Sequence, residues 1–262
     1  MIDRIVYLNS ELFYFKEGAG NKTILLFHGF GQDHRAFESW NESLKNEYTI
    51  YTFDLFFHGN SRWQNNRALE KEDWKKVLQL FFDREKIEDF EIAGFSIGTK
   101  FVLAAMELFP DRVKRIILIA PDGISANFWY GLATGTGFMR SLFKSMILKP
   151  RRLQFIVKFL RFFHFENKNL LRFAEFQMST EEKRKRVYYS WVYFRHLKFD
   201  MKELIYVINS RSIEVTFILG KSDTVIPVEK IKRIAKKLSN HQFEIVNAAH
   251  NDLISKGASF IN

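Results

Sequence analysis

From Thr23 to Phe27 the chain reads Thr-Ile-Leu-Leu-Phe, a continuous apolar run, and short, mainly apolar stretches that read as further strands recur at Tyr48–Phe53, Phe90–Gly94, Val113–Ala120, Val215–Leu219 and Phe243–Val246. A run as short and continuous as Thr23–Phe27 predicts a strand covered on both faces, because a strand with one wet face would alternate apolar and polar positions. Between them lie stretches of helical period: Trp74–Phe82, Ile97–Phe109 ending before Pro110, Val228–Leu238, and a short terminal helix from Asp252. Ile2–Leu8 and Leu12–Phe15 read as a hairpin about Asn9-Ser10. Strands alternating with helices predict an α/β fold, a mostly parallel central sheet with helices on both faces.

The alternation breaks after Pro121. Residues 122–202 have no buried-strand pattern and read as helical, aromatic and basic; the alternation resumes at Val215. The expected organisation is one body made of 1–121 and 203–262, with 122–202 inserted between two strands of its sheet. Composition agrees with that size: 262 residues, 47% hydrophobic, can bury one large core, and four prolines leave no room for a long linker. The absence of cysteine excludes disulfides, thiolate metal sites and a cysteine nucleophile. It fits a cytoplasmic location, as does an N-terminus, Met1-Ile2-Asp3-Arg4, without the apolar core of a signal peptide. No apolar stretch is long enough to span a membrane.

Gly94-Phe95-Ser96-Ile97-Gly98 fits G-x-S-x-G between a predicted strand and a predicted helix, the context in which that motif exposes a strained serine at a sheet's carboxyl edge. A serine hydroxyl needs a base, and the base an orienting acid. Asp223 and His250 follow in that order, each just past a predicted strand, where loops of a parallel sheet converge. Asp122, also past a strand, is the rival acid. Of the seven histidines, His28 reads as a loop brace and His58 as a turn residue; His34, His164, His196 and His241 fall in helical or polar surface contexts. Charge developing on an attacked carbonyl needs N–H donors, and the backbone of Ile97 and of Phe30 can supply them. No metal-ligand spacing and no phosphate-binding glycine loop occurs, so no cofactor is expected.

With these residues in hand, the chain resembles the α/β-hydrolase superfamily of esterases, lipases and related acyl hydrolases over nearly its whole length. The resemblance rests on His28-Gly29-Phe30-Gly31, on Asp54-Leu55-Phe56-Phe57-His58-Gly59-Asn60-Ser61, on the serine turn, and on Asp223 and His250. It implies an α/β-hydrolase fold whose insertion between the sixth and seventh strands is a helical cap. It also implies a serine hydrolase forming an acyl-serine ester, and Ser96 excludes relatives with an aspartate at that position. A carboxylic ester with an apolar acyl group is the expected substrate; a thioester or a C–C bond is the alternative, and a non-catalytic ligand-binding relative the rival from another class. Three departures stand out: Phe56-Phe57 for the usual Pro-Gly, Thr99 for a small residue, and Ala249 for the glycine before the histidine.

Charge sharpens the view of the insertion. Essentially the whole net charge of +10 and 12 of the 29 phenylalanines lie between 122 and 202. Within Arg151–Phe163 the polar positions Arg151, Gln154, Lys158 and Arg161 recur at helical spacing among apolar ones. The plain reading is a lid that buries its apolar face and solvates its basic stripe. The sharper ones are an anionic lipid surface or an acidic acyl-carrier protein; nucleic acid is not expected, since no binding motif accompanies the charge. Lys183-Arg184-Lys185-Arg186 reads as a solvated helix face. Phe95, Phe128, Trp129, Phe155 and Phe159 are the candidate apolar contacts to substrate.

Overall fold

The computed structural model describes residues 1–124, 128–149 and 176–261, with backbone only at 128, 129, 132 and 133. The chain divides into two compact units, Met1–Ser125 with Leu197–Asn262, and Ala126–His196.

The first unit is built on one eight-stranded sheet: β1 (Ile2–Tyr7), β2 (Ser10–Glu17), β3 (Lys22–Phe27), β4 (Tyr48–Phe53), β5 (Phe90–Phe95), β6 (Val113–Ile119), β7 (Glu214–Gly220) and β8 (His241–Val246). Their order across the sheet is β1-β2-β4-β3-β5-β6-β7-β8. β2 runs antiparallel to β1 and β4, and every pair from β4 onward is parallel. Successive side chains of a strand point to opposite faces, which explains why the buried last four residues of β3 are all apolar. Ile24 and Leu26 of β3 enter a core with Trp40, Leu44 and Ile254. Phe27 faces the other way, stacking on Phe53 at 4.9 Å and meeting Trp74 edge-on at 5.7 Å.

Helices α1 (Glu38–Leu44), α2 (Lys71–Glu85) and α3 (Gly98–Leu108) lie in the first part of the chain, α3 packing on β5 and its neighbours β3 and β6. Beyond the second unit the chain adds α7 (Met201–Ser210), α8 (Val228–Ala235) and α9 (Leu253–Gly257). The sequence reading overlooked α1. Its signal is short: Phe37, Trp40 and Leu44 are buried at helical spacing among polar residues, and the Trp40 indole N–H donates to the Ile254 carbonyl at 2.8 Å. The first hairpin also turns one residue earlier than expected. Leu8 and Asn9 both adopt left-handed backbone, while Ser10 opens β2 opposite Tyr7. Ser10 is held there because its Oγ accepts the Gln64 N–H at 2.9 Å.

The second unit contains α4 (Phe128–Gly135), α5 (Gly137–Leu148) and α6 (Glu181–Tyr193). Thr136 and Thr180 cap α5 and α6, each hydroxyl accepting a first-turn N–H at 3.2 Å. Phe143 of α5 packs on Tyr188 and Trp191 of α6 at 5.9 and 5.6 Å. The basic run on α6 is not uniformly solvated. Arg184 is buried and donates to the Met178 carbonyl at 3.2 Å, whereas Lys185 and Arg186 reach back to Glu181 and Glu182. Among the described residues, no helix is long and apolar enough to cross a membrane.

Candidate active site

Ser96 sits in the tight turn from β5 into α3 with φ of 50°, a left-handed conformation that costs a non-glycine residue roughly 1 kcal/mol. The flanking glycines make the turn feasible. A Cβ at Gly98 would overlap the carbonyl of Phe27 in β3, and one at Gly94 would press on Val102 of α3 at 2.6 Å. The strained backbone is pinned from both sides. The Ser96 N–H donates to the Ile119 carbonyl at 2.9 Å, and the Ser96 carbonyl accepts the N–H groups of Thr99 and Asp122 at 3.0 and 3.3 Å.

The loops after β7 and β8 bring two further side chains to this turn. His250 Nδ1 lies 2.7 Å from Asp223 Oδ2, and its Nε2 lies 3.2 Å from Ser96 Oγ. A carboxylate only accepts, so Nδ1 carries the proton, and Nε2 is the lone-pair nitrogen that accepts from the serine hydroxyl. Asp223 is itself fixed, since its other oxygen accepts the N–H groups of Val225 and Ile226 at 2.8 and 3.0 Å. Its side chain is 1% exposed and that of His250 14%, so the ion pair that forms when the ring gains a proton is shielded from water. This hydroxyl–imidazole–carboxylate relay can draw the proton off Ser96.

The loop after β3 carries Phe30, whose N–H is one of the two donors expected from the sequence. The Gly29 N–H donates to the Gln32 side chain at 2.9 Å while the Gln32 N–H returns to the Gly29 carbonyl at 3.3 Å, closing the loop on itself. Among the described residues, neither the Phe30 nor the Ile97 N–H is taken up by a carbonyl or side chain. His28 braces the loop from inside: Nδ1–H donates to the Gly29 carbonyl at 2.8 Å, and Nε2 accepts the Leu55 N–H at 3.0 Å. Burial pushes the His28 pKa down to about 4, which keeps the ring in this neutral tautomer. His34, expected in a helical or polar surface context, opens the short helical turn His34–Phe37, where the buried Asp54 carboxylate holds its ring at 2.9 Å and Phe15 stacks on it.

A family profile for the alpha/beta hydrolase fold matches residues 22–257. The chain belongs to that family. Among its relatives, a suspected esterase/lipase of Mycoplasma genitalium is 25% identical over 230 residues, covering 83% of this chain and 80% of that protein. A 2-hydroxy-6-oxo-2,4-heptadienoate hydrolase of Pseudomonas putida is 27% identical over 128 residues, 48% of this chain and 46% of its own. An esterase structure from Thermogutta terrifontis superposes with a TM-score of 0.73, covering 98% of this chain and 95% of that one at 17% identity. That likeness is one of fold.

Within this α/β hydrolase, the three departures from the family pattern have distinct structural outcomes. Ala249 has φ of −81°, where any residue fits, so no glycine is required. Thr99 is wholly buried, and its hydroxyl lies within hydrogen-bond distance of the Ser96 and Asp122 carbonyls, tying the serine turn to the loop after β6. Phe57 takes φ of 68°, a left-handed position that glycine would occupy without strain, while Phe56 is buried against Trp63.

Asp122, the rival acid, is turned to Lys100 at 3.7 Å and binds its neighbour Gly123 N–H at 2.8 Å. Burial lowers the Lys100 pKa, and Asp122 opposes that shift. Phe95 is only 3% exposed; its ring lies 4.8 Å from that of His250 and fills the space a Gly29 side chain would need. It has little surface left for a ligand. Phe128 and Trp129 begin α4, their side chains beyond the described set, and Phe155 and Phe159 lie outside the described residues. Gln32 and Thr99 act on backbone groups of the site, and nothing in their sequence positions marks those bonds. Among the described residues, no three His, Asp or Glu side chains are grouped to hold a metal ion.

Proposed function

We propose that the protein is a serine hydrolase acting on a carboxylic ester. The observation that carries this reading is the unbroken relay Ser96–His250–Asp223 at 3.2 and 2.7 Å. In this reading Ser96 Oγ attacks the ester carbonyl carbon as its proton passes to His250 Nε2. The tetrahedral oxyanion is received by the N–H groups of Phe30 and Ile97, and Asp223 stabilises the imidazolium. The tetrahedral species collapses, the bond to the alcohol oxygen breaks, and His250 returns its proton to that oxygen. Water then attacks the acyl-serine by the same route in reverse, releasing the acid and restoring the hydroxyl.

Phe95 is a positioning residue here, its ring backing both His250 and the Gly29–Phe30 loop. The expected substrate is a small ester with an apolar acyl group, and the unit between β6 and β7 is proposed to act as its cap. The partial match to a Pseudomonas putida hydrolase of a dienoate keeps C–C bond cleavage by the same residues as the second reading. The test is turnover of p-nitrophenyl esters of rising chain length beside a vinylogous 1,5-diketone, with wild type and Ser96→Ala. Ester turnover that is lost in the variant supports the first reading. Diketone cleavage without ester turnover supports the second, and turnover retained in the variant defeats both.

A further inference from the structure

Helix α5 has two apolar faces, and among the described residues only one is packed. Phe143 and Ile147 are buried, Phe143 against α6. On the opposite side Phe138 is 77% and Leu142 41% exposed. Phe138 and Leu142 are one turn apart, and Lys149, at the helix end seven residues after Leu142, falls on the same line. Ser141 and Ser145 fill the gaps, and exposed Lys144 stands to one side, 5.8 Å above the Tyr188 ring. Arg140 turns back to cap the Thr134 and Gly135 carbonyls at 3.0 and 2.9 Å. Among the described residues nothing covers Phe138, and an apolar tip this exposed beside lysines marks an interaction surface.

Charge tells what suits that face. From Gly123 to Phe165 the sequence contains no acidic residue, while Arg140, Lys144, Lys149, Arg151, Arg152, Lys158 and Arg161 are basic. The acidic residues nearest in the described unit are Glu181 and Glu182 at the start of α6, where they pair with Lys185 and Arg186. The same unit exposes a second aromatic, Phe176 (62%), with the Lys183 ammonium 3.3 Å from its ring centre. A docking face for one folded protein would need acidic and basic groups arranged to fix a register. An acid-free face with aromatic and aliphatic tips matches a diffuse negative surface with an apolar layer beneath.

We propose that the Phe138–Leu142–Lys149 face of α5 docks on an anionic lipid bilayer, the rings and aliphatic tips entering the headgroup–acyl boundary and the lysines meeting lipid phosphates. Docking is a binding property and does not depend on the serine chemistry.

The experiment is co-sedimentation with phosphatidylcholine vesicles containing or lacking phosphatidylglycerol, using the full chain as wild type, Ser96→Ala, Phe138→Ser/Leu142→Ser and Lys144→Gln/Lys149→Gln. Thermal unfolding of each protein verifies the fold. Wild type and Ser96→Ala should bind the anionic vesicles equally and the neutral ones weakly. The apolar double variant should lose on the order of tenfold in partitioning. The lysine variant should lose a similar factor, growing as salt falls. Equal binding of all four proteins to anionic vesicles would overturn the assignment. So would an absence of vesicle binding alongside retention on an immobilised acidic acyl-carrier protein.

Discussion

Asp54, wholly buried at the end of β4, accepts at Oδ1 both the backbone N–H and the Nδ1–H of His34, each at 2.9 Å. Its other oxygen accepts the Asn60 N–H at 2.8 Å, and Gly59 is a glycine because a Cβ there would overlap that carboxylate. One carboxylate therefore ties the loop that carries Phe30 to the loop after β4. Asp54→Ala leaves these donors without their acceptor and should cost about 2–4 kcal/mol of stability. Turnover should fall as well, because the Phe30 N–H loses its anchor. Urea unfolding and steady-state kinetics check both; an unchanged midpoint would remove Asp54 from this role.

The two aspartates past strand ends should separate cleanly. Asp223→Asn cannot hold His250 in the tautomer that receives the serine proton and should lower kcat by roughly 10⁴-fold. Asp122→Asn loses only the 3.7 Å pairing with the buried Lys100 ammonium, so it should cost about 1–3 kcal/mol of stability and change kcat a few-fold at most. Kinetics and unfolding of both variants decide the matter. Comparable kcat losses would contradict the assignment of Asp223 as the orienting acid.

His28 should give the fold an acid-sensitive limb. Folding favours its neutral ring: the folded protein protonates it only near pH 4, whereas the unfolded chain does so near the ordinary 6.5. Between those values the unfolded state holds the extra proton, so this contribution is complete above about pH 6.5 and is lost as pH falls toward 4. The loss amounts to on the order of 3 kcal/mol. His28→Gln, which cannot titrate, should flatten this part of the stability profile when urea unfolding is followed from pH 7.5 to 4.5. Parallel wild-type and variant profiles would show that the limb has another source.

Much of the sheet is legible in the sequence because its parallel strands are short, mainly apolar toward their carboxyl ends, and end abruptly, as at Phe27-His28 and Phe53-Asp54. The relay is legible for a related reason. Ser96, Asp223 and His250 each follow a strand end, and the topology gathers strand ends on one edge. Other features depend on partners that only the fold supplies. Asp54 and His34 are 20 residues apart, and Gln32 acts through its own loop's backbone. α1 hides because its buried positions are few and spaced among Asn, Ser and Glu. Arg184 looks solvated from its basic neighbours, yet it turns inward because the helix phase points it at the Met178 carbonyl.

Whether His250 makes Ser96 a nucleophile is decided by phosphonylation with a fluorophosphonate. The reagent needs an activated hydroxyl to displace fluoride. Intact-mass analysis followed by peptide mapping should find one adduct per chain, on the peptide containing Ser96. Ser96→Ala should take up none, and His250→Ala should label at least a hundredfold more slowly. A wild-type protein that stays unlabelled while correctly folded, or a Ser96→Ala variant that labels as fast as wild type, would show that Ser96 is not the activated nucleophile.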